Sequence, residues 1–208
     1  DFDNDGWKDL FVSNGVLRDM TNLDFVKYGQ TYSSKSKNPA RDKTKMWEQI
    51  RQMPTPPLHN YVFRNNRDLS FTNSTVAWGL DKNLVSNGAI YTDLDNDGDL
   101  DLVVNNLNSE ASVYQNNTAG RQDAHYLKIR FEGDRQNTQG IGAKVTVSTA
   151  GSSQVQEQYL ARGFQSSVDP VMHIGLGKDS MVTSLTVSWP GGKVSHLQNL
   201  KADTTLVI

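Results

Sequence analysis

Two stretches of the chain carry almost the same acidic loop, and this repetition constrains the fold more than any other feature. Residues 1–12 read Asp-Phe-Asp-Asn-Asp-Gly-Trp-Lys-Asp-Leu-Phe-Val, and residues 93–104 read Asp-Leu-Asp-Asn-Asp-Gly-Asp-Leu-Asp-Leu-Val-Val, with identity at eight of twelve places. Aspartates stand at places 1, 3, 5 and 9, and a glycine at place 6 allows a sharp turn. This spacing of oxygen ligands suits calcium. We therefore predict one calcium site in each loop.

The same places supply the expected ligands in both loops. Calcium takes about six to eight oxygens, which four carboxylates, the backbone carbonyl at place 7 and water can provide. Because four carboxylates in a short loop repel one another, a bound cation should keep each loop ordered. We expect the carboxylate of Asp99 to point outward. The predicted metal ligands are Asp1, Asp3, Asp5, Asp9 and the carbonyl of Trp7 in the first loop, and Asp93, Asp95, Asp97, Asp101 and the carbonyl of Asp99 in the second.

Two alternatives to this interpretation exist. An EF-hand loop also begins with acidic residues but ends with a glutamate at place 12. Here place 12 is Val12 or Val104, and places 10 to 12 are apolar residues that favour strands, so each loop should lead into a strand. The second alternative is an acidic turn without metal, since Asp, Asn and Gly also populate ordinary turns.

The loops belong to a larger repeat. Residues 62–66 (Val-Phe-Arg-Asn-Asn) recur 51 residues later as residues 113–117 (Val-Tyr-Gln-Asn-Asn). The first aspartate of the loop precedes the first asparagine of this motif by 64 residues in the first unit and by 23 in the second. The difference of 41 residues predicts an insertion at about residues 17–57. A repeat of about 50 residues with several short strands is typical of propeller blades.

These residues resemble the FG-GAP or VCBS repeats of integrin-α-like β-propellers, in which such a loop joins two strands of a blade and binds calcium. The resemblance implies a partial β-propeller in residues 1–120. Its further motifs here are Phe63-Arg64-Asn65-Asn66, Leu69-Ser70-Phe71, Gly79-Leu80 and Ser86-Asn87-Gly88.

The remainder of the chain, residues 121–208, alternates apolar and polar residues in a pattern that predicts an antiparallel β-sandwich-like domain. The expected inward-facing residues are Leu127, Ile129, Phe131, Val145, Val147, Leu185, Val187 and Trp189. The domain resembles the ASPIC/UnbV domain, which often follows FG-GAP or VCBS repeats. The motifs that carry this resemblance are Gly140-Ile-Gly142-Ala143-Lys-Val145, Arg162-Gly163-Phe164, His173-Ile-Gly175-Leu176-Gly177 and Trp189-Pro190-Gly191-Gly192. The predicted fold class is therefore mainly β.

The insertion is predicted to be helical. Thr21 and Asp24 are spaced as in a capping box, and Asn38-Pro39 would begin a second helix that ends before Pro54. Residues 33–53 carry six Lys or Arg against two acids. This basic arm would either cover the rim of the propeller or bind a partner.

Composition excludes several classes of protein. A net charge of −2 and a pI near 6.1 argue against a nucleic-acid binder. No apolar run is long enough to span a membrane, and no cysteine is present for disulfides or thiolate zinc sites. Because weak calcium sites fill only outside the cytosol, we expect an extracellular, cell-surface or periplasmic location. Since Asp1 is already the first ligand of a loop, the sequence is expected to be a piece of a longer protein.

No catalytic motif is present, and we predict no enzymatic activity. His59, His125, His173 and His196 are scattered, and His173 is expected to be packed in the core with a satisfied ring. The leading hypothesis is a calcium-binding extracellular or cell-surface module for binding or adhesion, with structural metals and a protein or glycan ligand. Alternatives are a glycan-binding or glycan-processing component, for which Trp78 or Tyr114 would be exposed at the rim, and a subunit of a larger bacterial outer-membrane assembly. Arg162 and Phe164 would either line a recognition surface or pair locally.

Overall fold

The computed structural model of the chain describes residues 1–19, 23, 24, 27, 44, 45, 47, 48, 50, 51, 53 and 58–208. The predicted insertion at 17–57 falls mostly in the gaps between these ranges. Of the two predicted helices, residues 23, 24, 27, 44, 45, 47, 48, 50 and 51 are described and are helical, and most of the rest of the helices and of the basic arm lies outside the described residues. Within the part of the chain that is described, no helix combines the length and the hydropathy of a membrane span.

The described structure is mainly β, as predicted. Strands of the first part of the chain are β1 (Leu10–Val12), β2 (Tyr61–Asn65), β3 (Phe71–Asn73), β4 (Ser86–Thr92), β5 (Asp101–Asn106) and β6 (Ser112–Tyr114). Strands of the second part are β7 (His125–Arg130), β8 (Lys144–Ser148), β9 (Ser153–Glu157), β10 (Met172–Gly177), β11 (Met181–Ser188), β12 (Val194–Lys201) and β13 (Thr204–Val207).

The first part forms two antiparallel three-stranded sheets, ordered β1-β2-β3 and β4-β5-β6. Each acidic loop leads into a strand, and the second loop joins β4 to β5, so the EF-hand alternative is wrong. The two sheets also share a register. Leu10 pairs with Phe63, and the corresponding Leu102 pairs with Tyr114. The internal repeat deduced from residues 62–66 and 113–117 is therefore confirmed in the strand pairing.

A small apolar core joins these two sheets. Its buried members come from both units, and aromatic residues cover it. The buried residues are Val62, Leu80, Leu102 and Val104, and the partly buried residues against them are Phe2, Phe11, Trp78, Ala89 and Tyr114.

The second part encloses one core between two sheets, ordered β10-β7-β13 and β12-β11-β8-β9. The predicted inward faces are confirmed: Leu127, Ile129, Val145, Leu185 and Val187 are fully buried. One detail differs from the antiparallel prediction, because β13 pairs with β7 in parallel. Strand β13 follows β12 of the four-stranded sheet and reaches β7 from there. This connection sets the direction of β13, and its own residue pattern does not.

Candidate metal centres

Each acidic loop is closed by its own first aspartate. Asp1 Oδ2 accepts a hydrogen bond from the Gly6 N–H at 3.0 Å, and Asp93 Oδ2 accepts one from the Gly98 N–H at 3.1 Å. Both glycines have positive φ, 89° and 99°, which other residues adopt at a cost. The glycine at place 6 therefore brings the chain back over the first carboxylate in both loops.

The aspartate at place 9 ties each loop to the end of the neighbouring strand. Both of its carboxylate oxygens accept backbone N–H groups, from Phe2 (2.8 Å) and Asn65 (3.0 Å) for Asp9, and from Leu94 (2.9 Å) and Asn116 (2.8 Å) for Asp101. Asn65 and Asn116 are the equivalent asparagines of the repeat. Place 9 therefore links the loop to the repeat's second motif.

Three aspartates converge in each loop. The carboxylates of Asp1, Asp3 and Asp9 form one group, and those of Asp93, Asp95 and Asp97 form the other, with the ligand atoms in each group within 4.8 Å of one another. The convergent sets differ in that place 9 belongs only to the first and place 5 only to the second. The carbonyls of Trp7 and Asp99 stay predicted ligands.

Neighbouring side chains donate hydrogen bonds to other carboxylate oxygens of the two loops. In the first loop Asp5 accepts hydrogen bonds from Arg64 at 3.3 Å and Arg67 at 2.9 Å, and Arg64 also donates to Asp3 at 2.6 Å. In the second loop Gln115, which occupies the place of Arg64 in the repeat, donates to Asp95 at 2.9 Å. The first loop is therefore partly neutralised by guanidinium groups, whereas the second has a neutral amide at that place.

Several buried oxygens of these clusters have no hydrogen-bond partner among the described residues. Asp1 Oδ1, Asp3 Oδ1 and Asp93 Oδ1 are enclosed and accept no hydrogen bond. A buried carboxylate oxygen without a donor is costly. Burial also raises the pKa of Asp97, with the bond from Asp99 N–H opposing and the neighbouring aspartates adding to the rise. A divalent cation would satisfy these oxygens and reverse the repulsion, so the residues present fit a hard metal ion.

The prediction that the Asp99 carboxylate points outward is wrong. Asp99 is fully buried, and its Oδ2 accepts N–H groups from Thr118 at 2.7 Å and Ala119 at 2.8 Å. Burial raises the pKa of this carboxyl to about 6, and no described residue donates a hydrogen bond to its Oδ1. The segment that follows β6 folds back over place 7 of the second loop, which residue spacing alone does not show. At the same place in the first loop Trp7 is 44% exposed.

Asn4 joins the first loop to two other parts of the molecule, and nothing in the sequence except its place in the motif points to this role. Its side chain is 0% exposed. Nδ2 donates to the Gly98 carbonyl of the second loop at 2.9 Å, and Oδ1 lies 2.7 Å from Nε2 of His173. The Asn4 carbonyl accepts the Gly177 N–H at 2.8 Å. Asn4 therefore binds both the other loop and strand β10.

Gly175 is needed because strand β10 lies directly against the first loop. A Cβ at this position would stand 2.2 Å from Asp1 Oδ2 and 2.8 Å from the Asn4 backbone. The Gly175-Leu176-Gly177 motif of the C-terminal domain is therefore a contact surface for the first acidic loop. The second loop has a close contact of its own, since a Cβ at Gly98 would stand 1.9 Å from the ring of Tyr126.

Lys128 gives the second loop its own contact with the C-terminal domain. This residue of β7 is 9% exposed, and its Nζ lies 2.6 Å from Asp93 Oδ2. Both acidic loops therefore contact the three-stranded sheet β10-β7-β13, the first through Asn4 and the second through Lys128.

His173 is buried in this contact, as predicted, but its ring is only half satisfied. Since Asn4 Nδ2 donates to the Gly98 carbonyl, Asn4 Oδ1 is an acceptor, and His173 Nε2 therefore carries a proton. In the described part of the chain Nδ1 has no partner, and the ring stacks on Tyr126 at 5.6 Å. Burial, reinforced by nearby positive charges, lowers the pKa of His173 to about 3. The ring is therefore neutral.

Trp78 and Tyr114, the aromatic residues of the glycan alternative, are half-buried. Both pack against the core that joins the first two sheets, and Trp78 meets Phe2 edge to face at 6.2 Å. They also line a cleft of about 470 Å³ between the sheets. Their main contacts are those of core residues.

Comparison with known proteins agrees with the prediction for the C-terminal domain. Residues 133–208 match the family described as ASPIC and UnbV. The chain is 33% identical over 111 residues to Cartilage acidic protein 1 of Homo sapiens, an alignment that covers 51% of this chain and 16% of that protein. It is 34% identical over 113 residues to Cartilage acidic protein 1 of Xenopus tropicalis, with 51% and 16% covered. The match thus spans about a sixth of the length of these relatives. Residues 133–208 are accordingly similar to ASPIC and UnbV domains.

Proposed function

We propose that this chain is a calcium-binding extracellular or cell-surface module for binding or adhesion, in which two structural ions hold the acidic loops. The observation that carries the proposal is the set of enclosed, unpartnered carboxylate oxygens on Asp1, Asp3 and Asp93. In a folded protein such oxygens need a cation or a donor. Six to eight oxygen ligands with tolerant geometry favour calcium over magnesium, which demands a tight octahedron.

The proposed ions stabilise more than the loops themselves. Asn4 and Gly175 place strand β10 against the first loop, and Lys128 places β7 against the second. An ordered loop is therefore a condition for docking the C-terminal domain. In this proposal calcium joins the two FG-GAP or VCBS-like blades to the ASPIC/UnbV-like domain, and the sheets β1-β2-β3 and β4-β5-β6 are blades of a larger propeller.

Calcium dependence of thermal stability tests the proposal. Binding to the folded state alone adds about 3 kcal/mol per site at about one hundred times Kd, so calcium should raise the melting temperature by several degrees over the value in chelator. Replacing Asp95 with Ala should remove one of two ions measured by calorimetric titration. Asp81→Asn, an exposed aspartate outside both clusters, serves as the matched control. Equal melting curves with calcium and with chelator would refute the metal role.

The alternatives separate by different measurements. A subunit of a larger surface assembly would co-purify with other chains when the full-length protein is isolated. A glycan-binding component that uses Trp78 or Tyr114 would bind saccharides and would lose that binding when these rings are replaced. Absence of enzymatic activity stays a prediction, because the aspartates are accounted for as ligands and every histidine lacks a catalytic motif.

A further inference from the structure

A second cleft, of about 460 Å³, lies where the first acidic loop, strand β4 and the C-terminal domain meet. Asp1 and Asp9 of the first carboxylate cluster form part of its wall, and the rest of the lining presents different chemistry. Clefts of this size accommodate small organic ligands. The lining residues used in the argument are Lys8, Tyr91, Gln156, Arg162, Phe164 and His173.

Two cations face this cleft without a carboxylate partner. Lys8 Nζ donates to Gln156 Oε1 at 2.9 Å, and Arg162 Nε donates to the Tyr91 hydroxyl at 3.3 Å. The Arg162 guanidinium also lies 5.5 Å from the centre of the Tyr159 ring. Within the described ranges, neither cation has a carboxylate within 4.0 Å. Neutral partners orient both side chains and leave their charge available to an anion.

The acids of the same cleft are already engaged. Both oxygens of Asp9 accept backbone N–H groups, and Asp1 Oδ2 accepts the Gly6 N–H. In the proposed calcium-bound state, the charge of these two aspartates is compensated by the ion. Lys8 and Arg162 then set the sign of the potential in the cleft.

The remaining walls suit a ring that bears hydroxyl groups. Phe164 is 60% exposed, and the half-buried Tyr91 also lines the cleft. Aromatic faces bind the apolar faces of sugar rings, whereas amide groups bind their hydroxyls. His173 also lines the cleft, but its Nδ1 is enclosed, so the ring serves as a wall.

We propose that this cleft binds a carboxylated saccharide, with the carboxylate on Lys8 and Arg162 and the ring against Phe164. The inference deepens the proposed binding function by naming the chemistry of the ligand. It does not depend on the exact set of calcium ligands. Arg162 is the main determinant, because a guanidinium binds a carboxylate through two hydrogen bonds.

Titration with D-glucuronate, followed by NMR in saturating calcium, tests the inference, with D-glucose as the uncharged control. Glucuronate should shift the amide signals of the cleft residues in a saturable manner, and glucose should bind at least about tenfold more weakly, as expected for loss of a charge-assisted hydrogen bond. Arg162→Gln should weaken glucuronate by about tenfold or more. Lys193→Gln, an exposed cation in the β11–β12 turn, should leave it unchanged.

Three results would overturn the inference: no saturable shift with glucuronate, equal affinity for glucose, or unchanged affinity in Arg162→Gln. Acetate that binds as tightly as glucuronate would also overturn it, because the sugar ring would then contribute nothing. Failure here is distinguishable from failure of the metal role. A protein that melts at a higher temperature in calcium but ignores glucuronate keeps the proposed metal function and loses only this ligand assignment.

Discussion

The two acidic loops have the same internal hydrogen bonds but different surroundings. In both loops place 1 accepts the N–H of place 6, and place 9 accepts the N–H of place 2 and of a repeat asparagine. Place 4, however, is fully buried as Asn4 and exposed as Asn96. Place 7 shows the reverse, since Trp7 is exposed and Asp99 is buried.

This difference shows which hydrogen bonds belong to the motif itself and which contacts depend on its position in the fold. The shared bonds involve residues within one unit and close the same carboxylate-lined turn in either copy. The differing residues contact other units: Asn4 contacts β10, and Asp99 contacts the segment after β6. One loop is thus a docking point for the C-terminal domain through a neutral asparagine, and the other through the ion pair of Asp93 and Lys128.

The largest effect is expected at the docking point of the first loop. Gly175→Ala places a methyl group 2.2 Å from Asp1 Oδ2 and should cost more than about 3 kcal/mol of unfolding free energy, because backbone must move to admit it. Chemical denaturation measures the change. Gly191→Ala, whose Cβ meets nothing within 4 Å, is the control. A loss below about 1 kcal/mol at Gly175 would contradict the close contact.

A direct test of the loop comparison replaces the asparagine at place 4 with alanine, one copy at a time. Asn4→Ala should cost about 2 to 4 kcal/mol, because the buried Gly98 carbonyl and the His173 ring lose their partner. Asn96→Ala should cost only about 1 kcal/mol, from placing alanine at a positive φ of 61°. Urea denaturation of both variants gives the difference. Equal losses would mean that the two loops contribute alike.

Lys128→Met tests the contact between the second loop and the C-terminal domain. In chelator it should lower stability by about 1 to 3 kcal/mol, since the Asp93 carboxylate then loses its charged partner and keeps only the hydrogen bond from the Gly98 N–H. In calcium the loss of stability should be smaller, because removing the Lys128 ammonium also removes a cation that competes with the calcium ion for Asp93. Melting curves in both conditions measure this. Lys144→Met, which breaks an exposed pair with Glu157, should respond equally in both. A Lys128 variant that behaves like this control would exclude competition.

The smallest expected effect is acid sensitivity of the first-loop contact. Folded His173 has a pKa of about 3, below its ordinary value of 6.5, so the unfolded chain binds more protons between these values. This contribution to stability is complete above pH 6.5 and is lost as the pH falls towards 3. It amounts to about 1 kcal/mol between pH 7.5 and 6. His173→Gln should flatten the pH profile in chelator, whereas the exposed His196→Gln should not.

Several elements could be predicted from sequence because their signals are local. The glycine at place 6 and the apolar places 10 to 12 lie next to the aspartates whose geometry they set, so the loop and its following strand were foreseeable. The repeat predicted the shared register of Leu10 with Phe63 and Leu102 with Tyr114. Alternation in the C-terminal domain predicted its buried faces, since side chains on a strand point alternately to opposite sides.

The order of the acidic residues, by itself, determined two carboxylate-lined turns, because the spacing of the aspartates and the turn geometry are properties of short segments. Only the tertiary structure decided what each turn contacts. The partners of Asn4 at Gly98 and His173 are 94 and 169 residues away, and no spacing rule relates residues so far apart. The burial of Asp99 and the close approach of Gly175 likewise depend on how separate units pack. Contact between distant segments is set by the whole fold, and these contacts turned a repeated motif into two distinct sites.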